Sequence, residues 1–226
     1  MIVSHQHRFV FVKTFKTAGT SVEIGLSAHC GPDDLITRIM DEDLRRASGG
    51  RGPQHDRVPV HRYRAPEIAA ALRRRDWVRF AEHTPAVTAR RLLGRRVWND
   101  YFTFTIERNP WDKVISAYYW RFRKVQPPWP SIAEWLQTSR SHVMGFEMYT
   151  DDGSVIVDRV LRYESLDDEI AEVAALLGLA GPVVLPRAKT GHRLDQRPYR
   201  EVLGPAEGER IAHEYAREIA LMGYEF

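Results

Sequence analysis

Apolar positions along the chain fall in short blocks whose period changes from one to the next. Phe9-Val10-Phe11-Val12 is continuous rather than alternating, the pattern of a strand covered on both faces. KTFKTAGTS follows, and the apolar residues of Val22-Glu23-Ile24-Gly25-Leu26 then suit a helix opened by Thr20 or Ser21 as N-cap. Residues 47–66 are rich in Gly, Pro and Arg with weak periodicity, which predicts a long loop, mobile or facing a substrate. A helix is predicted over 66–75 with Pro66 at its first position, a short strand over 77–80, and a helix over 85–93 stopped by Gly94. Aromatic and β-branched residues predict a strand over 101–106, and Asn109 then caps a helix running from Pro110 to Arg123. Beyond it the pattern predicts a short helix at 131–137, strands at 155–157 and 160–163, and a helix over 166–177 ending at Gly178. A loop over 186–197 and a last helix over 205–222 complete the chain, with no internal repeat. The alternation of strands and helices predicts an α/β fold, a mainly parallel central sheet flanked by helices, in a single domain spanning 1–226.

Composition narrows the function classes. With 43% hydrophobic and 28% charged residues the chain is not disordered, collagenous or coiled-coil. Cys30 is the only cysteine, so neither an intrachain disulfide nor a cysteine-built zinc site is available. MIVSHQHRF lacks the features of a cleavable leader, and no apolar run approaches the ~18 residues of a membrane span; a cytoplasmic protein with no membrane partner is the expectation. His5 and His7 are expected at a fraying end, and His55 and His61 in the polar loop, with no metal site among them. The net charge of +3 is too small for wholesale nucleic-acid wrapping, so the arginine clusters at 73–75, 90–91 and 95–96 read as solvated helix faces.

Two segments carry chemistry. A loop between a buried strand and a helix N-terminus gathers free amides and the positive end of a dipole, a natural anion site. In KTFKTAGTS, Gly19 permits close backbone approach, Thr20 and Ser21 offer hydroxyls, and Lys16 supplies a point charge for phosphate or sulfate. The order differs from G-x-x-x-x-G-K-[ST], because Lys16 precedes Gly19, and no G-x-G-x-x-G element follows the strand. In ERNPWDKVISAYYWR, Arg108 closes a strand and Ser116 lies about 9 Å along the next helix at ~1.5 Å per residue, within reach of one shared phosphate.

Together, in this order and on these elements, the two segments resemble the cofactor motifs of sulfotransferases that use 3′-phosphoadenosine 5′-phosphosulfate (PAPS), of the carbohydrate type related to heparan 2-O-sulfotransferases and their soluble bacterial relatives. The resemblance covers KTFKTAGTS and ERNPWDKVISAYYW directly, and extends more weakly to Tyr163-Glu164 and the tail GYEF. It implies a P-loop-NTPase-like sulfotransferase fold. It also implies that Lys16, Thr17, Ala18, Gly19, Thr20 and Ser21 hold the 5′-phosphosulfate, that Arg108 and Ser116 hold the 3′-phosphate, and that no metal is required. Phe15 stands where the family commonly has proline, and Lys13 is an additional cation three residues before Lys16.

By this resemblance Lys16 stabilises the charge that grows on the departing phosphate as a sulfuryl group moves in line to a hydroxyl. His83, in FAEH, resembles the segment that supplies a general base in the 2-O type, with Glu82 as the reserve. Residues 187–193 have the composition of an anion clamp, as well as that of a plain solvated loop. The implied acceptor is a carbohydrate or a small hydroxylated metabolite, with no nucleic-acid partner. Two other readings are open: a P-loop-type kinase using ATP and magnesium, and a noncatalytic anion- or nucleic-acid-binding module.

Overall fold

The computed structural model describes residues 1–138, 140–188 and 191–226. Its first half is built from β1 (Ile2–Ser4), β2 (Phe9–Phe11), α1 (Gly19–Ser27), β3 (Leu35–Ile36), α2 (Glu42–Ala47), α3 (Ala65–Arg74), α4 (Ala86–Leu93) and α5 (Arg95–Asp100). Then come β4 (Phe102–Glu107), α6 (Pro110–Phe122), α7 (Ile132–Leu136), β5 (Thr150–Asp151), β6 (Ser154–Val155) and β7 (Arg159–Arg162). Four helices close the chain: α8 (Leu166–Leu176), α9 (Tyr199–Val202), α10 (Pro205–Glu214) and α11 (Ala216–Met222).

The α/β class is as the sequence predicts, but the sheet is mixed rather than mainly parallel. Its five strands run β3-β1-β2-β4-β7, with β2, β4 and β7 parallel and β1 antiparallel to both of its neighbours. The missed strand is β1: three residues and a tight turn bring Ile2 opposite Phe11 and Ser4 opposite Phe9. Residues 1–4 are therefore core and not a fraying end. His5, in the turn, accepts or donates one hydrogen bond with the Tyr101 hydroxyl at 2.8 Å. Val155 pairs in a small hairpin with β5 instead of joining the central sheet.

Strands β2 and β4 are covered on both faces, as the unbroken apolar run of β2 requires; in β4 the second face is carried by buried Thr103 and Thr105. Phe9, Phe11, Phe104 and Ile106 face α1 and α8 through Val22, Leu26, Ile170 and Val173. Val10 and Val12 pack on the other side with Ala86, Ala89, Leu92 and Trp98. A third cluster joins α6 to the C-terminal helices through Trp111, Ile115, Ile211 and Tyr215. The predicted last helix is broken at Tyr215, which caps α11 and whose hydroxyl accepts from the Val143 amide at 2.7 Å.

Several boundaries move for local reasons. Helix α2 was not expected, because its packed face is carried by Arg45, a fully buried arginine that donates to the Thr37 carbonyl and to Glu42. Residues 77–80 form a single bridge, Arg57 to Arg79, and no strand. The expected loop at 47–66 is not free: Gln54 bridges to Ile36, and Val58 is buried.

Candidate functional site

The two strand-to-helix units lie side by side because β2 and β4 are parallel neighbours, so the chain leaves both at one end of the sheet. This is the end at which open α/β sheets place ligands. After β2 the loop turns through two left-handed residues, Lys16 (φ 63°) and Ala18 (φ 57°). Such conformations cost of order 1 kcal/mol or more in a residue with a Cβ, and persist where the surroundings impose them. The Thr14 and Thr17 hydroxyls bond each other at 2.9 Å across this turn, and Thr14 also donates to the Ile106 carbonyl of β4.

Ala18 is the N-cap of α1, which begins at Gly19; the cap falls two or three residues before the expected hydroxyl caps. It offers no side-chain acceptor, and the first turn of α1 carries no acid. Thr17, Thr20 and Ser21 are all buried. Ser21 Oγ accepts from the Ala188 amide at 3.3 Å. Gly19 has a different immediate use from the one expected: a Cβ there would lie 2.6 Å from Lys13 Cγ, so the glycine makes room for a buried lysine stem.

After β4, Asn109 caps α6 by accepting from the Asp112 amide at 3.3 Å, with Pro110 in the first turn. Arg108 joins the two units. Its guanidinium donates to the Lys16 carbonyl at 3.0 Å, pairs with Asp112, and lies 4.1 Å over the Tyr163 ring. Asp112, Ser116 and Trp120 recur every fourth residue and so share one stripe of α6. Arg108 holds the near end of that stripe through Asp112, and Lys16 Nζ lies 4.6 Å over Trp120 at the far end. Ser116, half-buried, sits between them. The weak likeness in Tyr163-Glu164 and GYEF is also gathered here: Glu164 accepts from the Asn109 amide at 2.8 Å and from the Tyr224 hydroxyl at 3.0 Å.

Two residues of the predicted basic loop, His192 and Arg193, reach the same place. Arg193 pairs with Asp112, and His192 meets Trp120 edge-on at 5.1 Å. Lys189 and Thr190 of this segment lie outside the described residues. Burial works to raise the Asp112 pKa, but the Arg108 and Arg193 guanidiniums win and hold it below the ordinary range. Sequence reasoning missed Asp112 and Trp120, whose roles depend on which helical stripe faces the loop. A cleft of about 600 Å³ bounded by Tyr118, Tyr119, Trp129 and Leu194 opens beside the stripe, Tyr119 being three residues beyond Ser116.

His83 lies under the first loop. Its Nδ1 is 3.1 Å from the Lys13 carbonyl, an acceptor only, so Nδ1 carries the proton and Nε2 keeps the lone pair. Phe15, the residue that departs from the family pattern, stacks on the imidazole at 3.9 Å. Burial first, and the Lys13 charge second, lower the His83 pKa to about 4. The imidazole is therefore neutral at pH 7. Glu82 Oε1 stands 4.0 Å from Nε2, while its other oxygen accepts from Lys13 Nζ at 2.6 Å. Lys13, 2% exposed, also pairs with buried Glu23 at 2.7 Å. Cys30, buried with its thiol pushed up to about 12, chiefly by burial, is inert.

Among the described residues no group of three or more His, Cys, Asp or Glu side chains is placed to hold a metal ion. No family model matches the chain, and no solved structure matches it. An uncharacterized protein of Archaeoglobus fulgidus is 34% identical over 99 residues, an alignment covering 42% of this chain and 82% of the archaeal one. The chain belongs to the same protein family as this archaeal relative, whose name states no activity.

Proposed function

We propose that the protein is a PAPS-dependent sulfotransferase acting on a hydroxyl of a carbohydrate or a small hydroxylated metabolite, on a P-loop-NTPase-like fold. One observation carries this reading: the two motifs converge, Arg108 of the second donating at 3.0 Å to the carbonyl of Lys16 in the first. Bound there, PAPS would supply an activated sulfuryl group and a phosphate leaving group.

The residues fit such a ligand. The uncapped first turn of α1, entered through left-handed Lys16 and Ala18, offers backbone amides to one anionic end. Arg108 and Arg193 meet on the Asp112 carboxylate, so two guanidiniums already converge on an anion where the 3′-phosphate would lie, with Ser116 one turn further on. Lys16 stands to stabilise charge developing on the leaving oxygen, and its ammonium is positioned by the Trp120 face.

His83 Nε2 would take the acceptor proton, since Nδ1 is committed to the Lys13 carbonyl. A lowered pKa keeps this nitrogen unprotonated at neutral pH, at the cost of intrinsic basicity. The aromatic wall of the cleft beside α6 suits the C–H face of a sugar ring.

Thermal melting with two ligands tests the assignment. Adenosine 3′,5′-bisphosphate, the desulfated cofactor, is expected to raise the Tm, by about 2.7 kcal/mol of stabilisation at a hundred times its Kd. ATP with magnesium is expected to leave it nearly unchanged. The reverse pattern would select a kinase. Tight, steeply salt-dependent binding of DNA or RNA with neither nucleotide active would select a nucleic-acid module.

A further inference from the structure

Helix α3 is turned inside out. Ala65, Ile68, Ala69 and Leu72 fall at i, i+3, i+4 and i+7, the apolar stripe that a surface helix ordinarily lays on its core. All four are exposed, Ile68 by 45% and Leu72 by 74%, whereas the half-buried positions are Glu67, Ala70 and Ala71. Polar contacts hold the helix this way round. Glu67 accepts from the Arg64 amide at 2.6 Å and pairs with Arg91 of α4. The two segments that α3 connects run together, Val58 donating to the Val78 carbonyl and Val78 to the Tyr63 hydroxyl, each at 2.8 Å. They add two further exposed apolar side chains, Val60 and Trp77.

Around these apolar residues stand six exposed arginines, Arg57, Arg62, Arg64, Arg73, Arg74 and Arg75, with Arg57 lying 5.6 Å over the Trp77 ring. The two acids of the segment are engaged elsewhere, Glu67 by Arg91 and Asp76 by Arg79 at 3.7 Å. An isolated apolar residue on a surface needs no explanation, but a projecting apolar stripe rimmed by one sign of charge does. A second copy of the chain docked here about a two-fold axis would set arginine against arginine. Nucleic acid would use the arginines and leave the stripe wet. A partner helix would seek a groove, and these side chains project instead.

An anionic lipid surface satisfies both halves of the pattern: apolar side chains enter the headgroup and acyl boundary while guanidiniums meet the lipid phosphates and carboxylates. We propose that α3, with Val60 and Trp77, docks the protein peripherally on an anionic bilayer. No helix among the described residues is long and apolar enough to cross a membrane, so contact would be with one face only. The proposal departs from the expectation of no membrane partner, because the outward turn of the stripe shows only in the fold.

The test is co-sedimentation of the full chain with vesicles of phosphatidylcholine alone, or with phosphatidylserine added. Binding is expected to the anionic vesicles, weakly to the neutral ones, and to fall with added salt. Arg73→Ala with Arg74→Ala is expected to lower partitioning about 25-fold, at roughly fivefold per arginine. Ile68→Ser with Leu72→Ser is expected to abolish it at an unchanged Tm; single Leu72→Gln serves if the double variant does not fold. No sedimentation with anionic vesicles overturns the proposal. So does binding indifferent to these substitutions, or a dimer in solution that the serine variant converts to monomer.

Discussion

Replacing Lys13 by methionine keeps the stem that Gly19 accommodates and removes only the ammonium. That ammonium lies 2.7 Å from Glu23 and 2.6 Å from Glu82, with Lys13 2% exposed and Glu23 fully buried. Removing one partner of a buried ion pair costs about 3–5 kcal/mol, because the remaining charge stays desolvated. Glu82 is 24% exposed and can rehydrate, and Glu23 keeps the Met1 amino group and the Thr37 hydroxyl, the latter at 3.1 Å, so the loss should fall near the lower end, about 3 kcal/mol. At about 2–4 °C per kcal/mol for a chain of this size, the Tm should drop by roughly 6–12 °C. The same substitution reaches the candidate base. Burial is the first cause of the lowered His83 pKa and Lys13 the second, while Glu82 acts to raise it. Without Lys13 the titration midpoint should climb from about 4 toward the free imidazole value near 6.5. Urea unfolding reads the first effect and NMR titration of the His83 ring the second. An unmoved His83 midpoint, or a loss below about 0.5 kcal/mol, would refute the buried Lys13 bridge.

Further expectations concern the site and its supports. Arg108→Ala should weaken adenosine 3′,5′-bisphosphate binding at least about tenfold by calorimetry, since a charge-assisted hydrogen-bond donor is worth about 1.5–3 kcal/mol. Lys16→Ala should instead abolish turnover with nucleotide binding largely kept and the fold intact; wild-type turnover in both variants would remove the site assignment. His83 binds its proton in the unfolded chain near pH 6.5 and in the fold only near 4, so stability should fall as pH drops between these values, by on the order of 3 kcal/mol. Denaturant melts of wild type and His83→Gln across that window check this, a flatter profile being expected for the variant. The acid limb of turnover should lie near pH 4; a limb near 6.5 would point to another base. Gly145→Ala should lower the Tm, because its Cβ would meet Lys113 Nζ and lie 2.9 Å from both Glu107 and Glu218, so the fully buried Lys113–Glu107 pair has to shift.

Much of the scaffold was legible because it rests on local signals. An unbroken apolar run marked β2, aromatic and β-branched residues marked β4, and Asn109 with Pro110 marked the start of α6 to the residue. What escaped depends on long-range pairing. The strand β1 is three residues long and exists because β2 and β3 flank it, so a parallel sheet was expected where a mixed one formed. Helix α2 escaped because its buried residue is Arg45, satisfied by Thr37 and Glu42, which no apolar periodicity reveals. Lys16 and Arg108 stood out in the sequence as cations of the turns after β2 and β4, but not that the Arg108 fork would bind the Lys16 backbone, nor that Asp112 would gather Arg108 and Arg193. Phe15 and Lys13, departures from the family pattern in sequence, turn out to build the His83 pocket.

A crystal structure with adenosine 3′,5′-bisphosphate bound would show where the nucleotide sits. The 5′-phosphate is expected on the backbone amides of residues 17–21 with Lys16 beside it, and the 3′-phosphate on Arg108 and Ser116 with the Asp112 carboxylate displaced. A nucleotide held elsewhere, or held with Arg108 still closed on Asp112 and touching neither phosphate, would contradict the proposed site.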